Sequence, residues 1–208
     1  MNTRKPVVET TKEAMLRVAI AAIDDGGEDG IRLDAILQEV GVSPSSLYYH
    51  YGNLTGLVEA AQVERFRRAN LNNAIEVRQR IELVESVDEF KKLVDLLIKN
   101  FLGSHRSIPR LQRANALGSA FGRPELLQLL GESQAEALNI GVEAIELAQQ
   151  KGFVREDLNA RAFVAWFDSQ SFGRVLVELT QDEKLGDNWN NLATEAVYQL
   201  LFGDKLKG

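Results

Sequence analysis

The chain has 208 residues, of which 45% are apolar and 26% charged, proportions that are ordinary for a folded globular protein and argue against disorder. Zero cysteines exclude disulfides and thiolate metal sites, and two histidines are too few for a zinc or iron centre, so neither a metal nor a cofactor is expected. A net charge of -6 argues against indiscriminate binding to polyanions, and without a signal peptide or a membrane-length apolar run we expect a cytoplasmic protein.

Apolar residues recur at helical spacing along almost the whole chain and no stretch alternates with a period of two, which predicts an all-α protein. A capping-box pair, Thr10 and Glu13, opens the first helix. Ser43 followed by Pro44 is an N-cap with proline at the first helical position, and it opens the third helix. The predicted short helices cover about residues 11–26, 33–40 and 44–51, and a long fourth helix starts after Asn53.

Longer helices follow in the rest of the chain. Ser86 and Glu89 form a second capping-box pair in front of an apolar stripe on one helix face. Pro109 and Pro124 are typical of first helical turns. These patterns predict a fifth helix from about residue 87 and further helices near 109–118, 124–151, 159–179 and 188–202, about nine in total. The helix near 159–179 is apolar all round, so it must be buried on several sides.

The helices divide into two predicted domains. Short helices with glycine turns occupy residues 1–62, and long helices with wide apolar faces occupy residues 63–208. A helix, a tight turn at Gly41 and a second helix form the layout of helix-turn-helix DNA-binding proteins, with the third helix as the recognition helix. Serine, tyrosine and histidine can donate to phosphate oxygens, and serine, proline or an aromatic ring can contact base edges. The predicted DNA-binding residues are Arg32, Ser43, Pro44, Ser45, Ser46, Tyr48, Tyr49, His50, Asn53 and Thr55.

Residues 10 to 62 resemble the DNA-binding domain of the TetR family of transcriptional repressors. The family commonly shows a GVS-x-x-x-LY-x-H-F pattern, then a short Asn- or Ser-Lys turn and a leucine. The corresponding residues here are Gly41, Val42, Ser43, Leu47, Tyr48, His50, Tyr51 and Leu57. The resemblance implies that Tyr48 and His50 bind phosphates of double-stranded operator DNA. It also implies that Pro44, Ser45, Ser46 and Tyr49 face the major groove.

For the C-terminal domain, the resemblance implies a variable helical domain that dimerises and binds a small effector. A two-fold operator mirrors a two-fold protein, so we expect a homodimer through the helices at about 160–179 and 188–202. Residues that could line an effector cavity are Phe101, His105, Phe121, Trp166, Phe167 and Gln170. The aromatic members of this set could equally be packed core. His105, with Arg106 and Arg110 near it, could bind an acidic effector or could belong to a solvated helix end.

The N-terminal domain departs from the family's pattern in its charge. Leu54 stands where the family often has a lysine that contacts phosphate, and the threonine that often begins the second helix is replaced near Arg32. Over residues 1 to 55, lysine and arginine contribute +5 and acidic residues -8, a net of -3. Because phosphate neutralisation supplies most non-specific affinity, we expect weak DNA binding unless the operator is well matched. Arg4 and Lys5 are either an arm that reaches the adjacent groove or a solvated tail.

The leading hypothesis is therefore a dimeric transcriptional regulator that responds to a ligand, in the simplest case a repressor that a small molecule releases from its operator. The acidic N-terminal domain motivates an alternative, a sensor or partner-binding protein of the same fold with weak or lost DNA binding. A helical enzyme has little support, because no nucleophile–base pair, phosphate-binding glycine loop or metal-ligand spacing is present in the sequence.

Overall fold

A computed structural model describes residues 9–203 of the chain. This part of the chain contains nine α-helices, two single-turn 3₁₀ helices and no strand, so the all-α prediction is confirmed. The first four α-helices are α1 (Thr11–Gly26), α2 (Leu33–Val40), α3 (Pro44–Tyr51) and α4 (Leu54–Leu83). The others are α5 (Val87–Leu102), α6 (Ser107–Ser119), α7 (Pro124–Gln150), α8 (Ala160–Glu178) and α9 (Glu183–Phe202). The 3₁₀ helices are η1 (Glu28–Gly30) and η2 (Ser104–Arg106).

Local side-chain caps fix several helix starts. At α1 the predicted capping box is complete, because Thr10 Oγ1 accepts from the Glu13 amide at 3.3 Å and the Glu13 carboxylate accepts from the Thr10 amide at 2.8 Å. The hydrogen bonds from Thr10 lower the pKa of Glu13. At α5 only half of the predicted box forms, since Ser86 caps the helix but Glu89 accepts instead from the amide of Glu85.

The start of α9 is the largest difference between the predicted and the observed helices. The prediction placed it at residue 188, whereas the helix begins at Glu183. Asp182 caps it, with Oδ1 accepting from the Leu185 amide at 2.9 Å. A glycine in the first turns, Gly186, obscured this start because glycine is a poor helix former. Tertiary packing favours glycine here, since a Cβ on Gly186 would lie 2.8 Å from Nη2 of the buried Arg174 and its guanidinium would have to shift.

The chain forms two compact units, residues 1–65 and residues 66–208. The boundary expected from the sequence lay at residue 62. In the first unit, α1, α2, α3 and the start of α4 enclose an apolar core whose most buried members are Met15, Ile36, Leu47, Leu57 and Ala61. The second unit has its own core, formed by residues of α4, α5, α7, α8 and α9 with Val154 and Val84 between them. Helix α4 supplies residues to both cores.

Helix α8 is less completely buried within the chain than its sequence predicted. It packs against α5, α6, α7 and α9, and it buries Phe163, Ser171 and Arg174. Its C-terminal turns, however, leave Leu176 and the following Leu179 exposed. The polar residues Asp168 and Arg174 also interrupt the apolar pattern. The helix is therefore buried on its inner sides and keeps an apolar outer face.

Candidate nucleic-acid interface and ligand cavity

The turn between α2 and α3 fixes the orientation of α3 in the first unit. Gly41 lies in the left-handed region, with φ of 73° and ψ of 36°, which a side chain would disfavour. The amides of Gly41 and Val42 both donate to the Leu37 carbonyl, at 2.9 and 3.0 Å. Leu47 of α3 is fully buried in the core of the first unit. One face of α3 is thus anchored, and the other faces outward.

The outward face of α3 carries most of the predicted DNA-binding residues. Tyr48 is 59% and Tyr49 84% exposed, unusually high fractions for large aromatic side chains. The rings of Tyr49 and His50 meet edge to face, with centroids 4.8 Å apart. Exposed around them are Ser43, Pro44, Ser45, Asn53 and Thr55, whereas Ser46 and His50 are half-buried. The fold therefore gathers hydroxyl, imidazole and phenol groups on one short helix and its flanks.

Ser43 occupies the N-cap position of α3, as predicted, but its side chain does not cap the helix. Its Oγ lies instead 2.8 Å from Oγ of Ser45. Within residues 9–203 no side chain accepts a hydrogen bond from the first amides of α3. Pro44 has no amide proton and the Ser46 amide donates to the Ser43 carbonyl at 3.0 Å, so the Ser45 amide, the two hydroxyls and the positive end of the helix dipole remain available to a phosphate.

Two neighbouring side chains make hydrogen bonds that hold the end of α3 and the start of α4 in place. The Tyr51 hydroxyl donates to the Lys12 carbonyl at 2.7 Å, and burial raises the pKa of Tyr51 to about 12. Asn53 Oδ1 accepts from the Gly56 amide at 2.8 Å and so caps α4. Because the cap occupies this oxygen, the side chain of Asn53 has its amide nitrogen left for a phosphate.

Two described arginines of the first unit, Arg17 and Arg32, are engaged in local contacts. Arg17 pairs with Glu9 at 3.0 Å and with Glu39 at 3.7 Å. Arg32 donates through Nη1 to the carbonyls of Asp29 and Ile31, so its predicted DNA contact would have to use its other nitrogens. The predicted arm residues Arg4 and Lys5 lie outside the described residues. Neutral side chains therefore dominate the candidate interface.

Gly56 is a positioning residue that the sequence patterns missed. A Cβ at Gly56 would lie 2.2 Å from the carbonyl oxygen of Tyr51, far inside the contact distance. The close approach seats the start of α4 directly against the end of α3. Leu54, at the first position of α4, is half-buried and packs on the core of the first unit. The close approach at Gly56 and the packing of Leu54 are visible only in the folded structure of this turn.

A buried polar network, also missed, ties α4 to the end of α1 and to η1. Gln62 is fully buried, and its Nε2 donates to Glu28 at 2.7 Å. Arg65 donates to Gln62 Oε1 at 2.6 Å and pairs with Asp24 at 2.8 Å. The partners are 34 and 41 residues apart in the chain, so no local spacing could indicate them.

The second unit encloses a cavity of about 480 Å³, a volume within the range of small-molecule sites. Aromatic rings form part of its wall, where Phe101 and Phe167 stack with centroids 4.7 Å apart. Its apolar lining includes Val94, Leu97, Ile98, Phe101, Phe163, Val164 and Phe167. Its polar lining includes Asn70, Asn73, His105, Arg106, Gln134 and Asp168. Three predicted effector residues, Phe101, His105 and Phe167, thus lie together at one cavity.

The other three predicted effector residues do not line this cavity. Phe121 is 95% exposed in the turn after α6, because the helix ends at Ser119 before it can turn that ring inward. Trp166 packs on the core beside Phe163, on the side of α8 away from Val164 and Asp168. Gln170 donates to the Trp166 carbonyl at 3.1 Å. These three residues therefore lie outside the lining of this cavity, and their role in binding an effector stays a prediction.

A buried arginine organises the polar wall of the cavity. Arg113 holds Asp168 through two hydrogen bonds, of 2.8 Å to Oδ1 and 2.5 Å to Oδ2. Gln134 donates to Asp168 at 2.8 Å, and Asn70 donates to Gln134 at 3.2 Å. The Arg113 guanidinium also stacks on the Phe172 ring, 4.6 Å from its centroid. The Asp168 charge is therefore balanced before any ligand arrives.

A second buried arginine, Arg110, holds the segment that carries η2. It donates to the carbonyls of Phe101 at 2.8 Å and Gly103 at 3.0 Å, and it pairs with Glu178 of α8. Removing such a buried cation from its partners would leave the carbonyls unsatisfied. The sequence suggested Arg110 as a ligand group, but its hydrogen bonds make it a support for Phe101 and for the η2 residues.

Two further properties concern the part of the chain that the structure describes. It contains no group of three or more histidine or acidic side chains arranged to hold a metal ion. It also contains no helix that combines the length and the hydropathy needed to cross a bilayer.

The chain is similar in sequence and in fold to proteins described as transcriptional regulators. No protein-family model matches the chain. UidR of Escherichia coli (strain K12), an HTH-type transcriptional regulator, is 20% identical over 198 residues, which are 95% of this chain and 92% of UidR. A solved Rhodococcus sp. structure described as a TetR-family transcriptional regulator is 20% identical, with a TM-score of 0.65 over 92% of this chain and 98% of its own. Another solved structure of a TetR-family transcriptional regulator, from Mesorhizobium loti MAFF303099, is 14% identical. Its TM-score is 0.69, over 90% of this chain and 95% of its own. The fold that the resemblance implied is confirmed.

Proposed function

We propose that this chain, which has the fold of the TetR-family transcriptional regulators, is a dimeric DNA-binding regulator whose affinity for its operator changes when a small molecule occupies its cavity. In the simplest case it is a repressor released by that ligand. The observation that carries the proposal is the outward face of α3, where Tyr48 and Tyr49 are exposed on a helix whose opposite face is anchored by Leu47. A regulator of this kind works in the cytoplasm.

The chemistry of the α3 face suits a DNA backbone and a major groove. The Ser45 amide and the hydroxyls at the start of α3 can bind one phosphate, and the Tyr48 and His50 groups can donate to others. Ser45, Ser46, Pro44 and Tyr49 can then address base edges and thymine methyl groups. Arg32, Asn53 and Thr55 remain proposed contacts at the margin of this face.

The proposed dimer uses α8 and α9. Their outer faces expose Leu176, Leu179, Leu185 and Leu192, large apolar side chains that a two-fold partner would cover. A single recognition helix covers few base pairs, and two helices can read successive major grooves about 34 Å apart. A dimer would therefore recognise a longer DNA sequence than the N-terminal unit of one chain can.

Helix α4 offers a covalent route between ligand and DNA. It begins at Leu54, beside the end of α3, and it supplies Asn70, Val77 and Ile81 to the cavity lining. If the chain has two conformations that place these lining residues differently, a ligand that binds one of them more tightly would increase its population. The position of α4 would shift with it. We propose that this shift in population changes the fit of the two recognition helices to the operator.

The proposal is tested by binding to the protein's own promoter region. Fluorescence anisotropy would compare a promoter duplex with a scrambled duplex of the same composition at several salt concentrations. We expect a preference for the promoter duplex and a linear fall of log K with log salt. Equal binding of the two duplexes at low salt would contradict the proposal.

The second candidate function is a sensor or partner-binding protein of this fold without specific DNA binding. It is favoured by the engagement of Arg17 and Arg32 in local contacts, which leaves little positive charge for phosphates. The same salt series separates the two, because this candidate binds neither duplex at near-physiological salt.

A further inference from the structure

The charged side chains that line the cavity differ in whether they have a partner. Arg80 pairs with Glu76 at 2.6 Å, one turn away on α4. Asp168 is held by Arg113. Among the described residues, no ion pair or hydrogen bond engages the guanidinium of Arg106, which is half-buried at the end of η2. Arg106 is therefore a cation with spare hydrogen-bond donors at a site that is otherwise charge-balanced.

The position of Arg106 is set by the rest of the fold. Arg110 holds the carbonyls of Phe101 and Gly103, and Glu178 holds Arg110, so the short segment before Arg106 is tied to α8. The Arg106 amide closes η2 by donating to the Gly103 carbonyl at 3.0 Å. A cation on a supported segment loses less entropy when it binds than one on a free loop.

The remainder of the cavity is suited to an apolar body. The stacked rings of Phe101 and Phe167, with Phe163 6.1 Å from Phe167 between centroids, form a continuous aromatic wall. Burying a hydrocarbon or aromatic body against this wall removes apolar surface from water. A polar ligand such as a free sugar would leave this wall unused.

We infer that the cavity binds an amphipathic organic anion, with its apolar body against the Phe101–Phe167 wall and its anionic head on Arg106. The inference rests on the ligand-binding part of the proposed function and adds the chemical class of the ligand. A guanidinium binds a carboxylate or a phosphoryl group through paired hydrogen bonds, and these charge-assisted bonds are the strong ones. A cationic ligand gains nothing comparable, because Arg113 already neutralises Asp168.

The test uses four probes with one ten-carbon chain and different heads: decanoate, decyl phosphate, 1-decanol and decylamine. Isothermal titration calorimetry would measure each against the full-length protein and against Arg106→Gln. We expect decanoate or decyl phosphate to bind at least about tenfold more tightly than 1-decanol, as for a charge-assisted pair. The stronger of the two anions identifies the head as carboxylate or phosphoryl.

The variant makes the assignment specific to one side chain. Arg106→Gln should weaken the preferred anion by about tenfold and leave 1-decanol within about twofold. Arg80→Gln is the matched control, since Arg80 also lines the cavity but is paired with Glu76, and it should change anion binding by no more than about twofold. Circular dichroism checks that both variants are folded, and the comparison of probes on the unmodified protein needs no variant.

Three results would overturn the inference: equal binding of 1-decanol and both anions, tighter binding of decylamine, or no binding of any probe. Promoter-DNA anisotropy on the same samples separates this inference from the proposed function. If the anion binds through Arg106 but DNA affinity does not change, the inference stands and the regulatory proposal fails. If promoter DNA is bound specifically but the anion preference is absent, the inference fails and DNA recognition stands.

Discussion

At the residue scale, the candidate interface replaces cations with neutral hydrogen-bonding groups. Tyr48 and Tyr49 are exposed, and the serine hydroxyls at the start of α3 lie 2.8 Å from each other. Arg17 and Arg32 are turned to local acceptors. A neutral donor can bind a phosphate without displacing a counterion, so it contributes affinity without adding to the salt dependence.

Replacing Tyr48 with phenylalanine tests this directly. The change removes one phosphate donor and should lower operator affinity by about five- to tenfold, corresponding to one hydrogen bond, while the slope of log K against log salt is unchanged. Tyr51→Phe is the matched control, because the Tyr51 hydroxyl donates to the Lys12 carbonyl inside the unit and should leave affinity within about twofold. If Tyr48→Phe binds the operator as tightly as the unmodified protein, the Tyr48 hydroxyl does not contact a phosphate.

Leu54→Lys should restore a phosphate contact at the start of α4. We expect tighter operator binding and a salt dependence steeper by about one phosphate contact. Because Leu54 packs partly on the core, the free energy of unfolding should fall by about 1 kcal/mol, although the lysine stem can cover some of the same surface. Gln79→Lys adds the same charge at an exposed position later in α4 and controls for net charge. Equal effects of the two variants would refute a local contact.

The Tyr51 hydroxyl also predicts how stability depends on pH. Burial raises the pKa of Tyr51 from 10.0 to about 12, so the folded state holds this proton more tightly than the unfolded chain does. The contribution is complete below pH 10 and is lost as the pH rises toward 12. The stability difference between the unmodified protein and Tyr51→Phe, measured by urea unfolding, should therefore shrink from pH 9 to pH 12. A constant difference would contradict the assignment.

At the scale of elements, the turn from α3 to α4 matters more than either helix alone. Gly52 ends α3 with a φ of 75°, Asn53 caps α4, and Gly56 leaves room for the Tyr51 carbonyl. The three residues hold the exposed face of α3 and the first turn of α4 in one fixed arrangement. The proposed DNA-binding surface is thus set by backbone geometry as much as by the side chains that project from it.

Gly56→Ala should disrupt this arrangement. Its methyl carbon would lie 2.2 Å from a backbone oxygen, so α3 or α4 must shift, at a cost of about 2 kcal/mol or more. Thermal unfolding and operator binding should both reveal the shift. Gly131→Ala is the control, because its Cβ would meet nothing within 4 Å in α7 and should be neutral or stabilising by up to about 1 kcal/mol. Equal stability of the two variants would mean the turn is more adaptable than described.

At the scale of the whole molecule, the proposed function needs a second copy of the chain. Helices α8 and α9 bury their inner faces in the second unit and expose leucines on their outer faces. An isologous interface brings the same residue near itself or its neighbours on the partner, so one substitution changes both sides. One charged substitution there therefore places two charges in the interface, one from each subunit.

Leu192→Glu should convert the proposed dimer to a monomer at micromolar concentration, because it buries two carboxylates without partners. Leu192 is 63% exposed within one chain, so the fold of the monomer should be unaffected. Phe121→Glu is the control, since Phe121 is a still more exposed apolar residue on another element and should leave the dimer intact. Sedimentation velocity measures the outcome. If Phe121→Glu dissociated the dimer and Leu192→Glu did not, the interface would lie near α6 and α7 instead.

The success of the sequence-based predictions depended on how far apart the interacting residues lie in the chain. Thr10 and Glu13 predicted the start of α1, and Gly41 predicted the end of α2, because caps and glycine turns act within a few residues. Phe101 and Phe167 lie at the cavity, whereas Phe121 is exposed. Whether an aromatic residue lines a cavity or lies in the solvent depends on where its helix ends in space.

The sequence by itself determined the all-α class, the helix-turn-helix layout around Gly41 and the exposed polar character of α3, because helical periodicity and capping are local properties of the chain. Only the tertiary structure decided that Gly56 must be glycine, that Arg110 and Arg113 are buried supports, and that Arg106 is the cavity cation without a partner among the described residues. These outcomes depend on contacts between residues far apart in sequence, where burial and charge pairing are settled by packing and not by spacing.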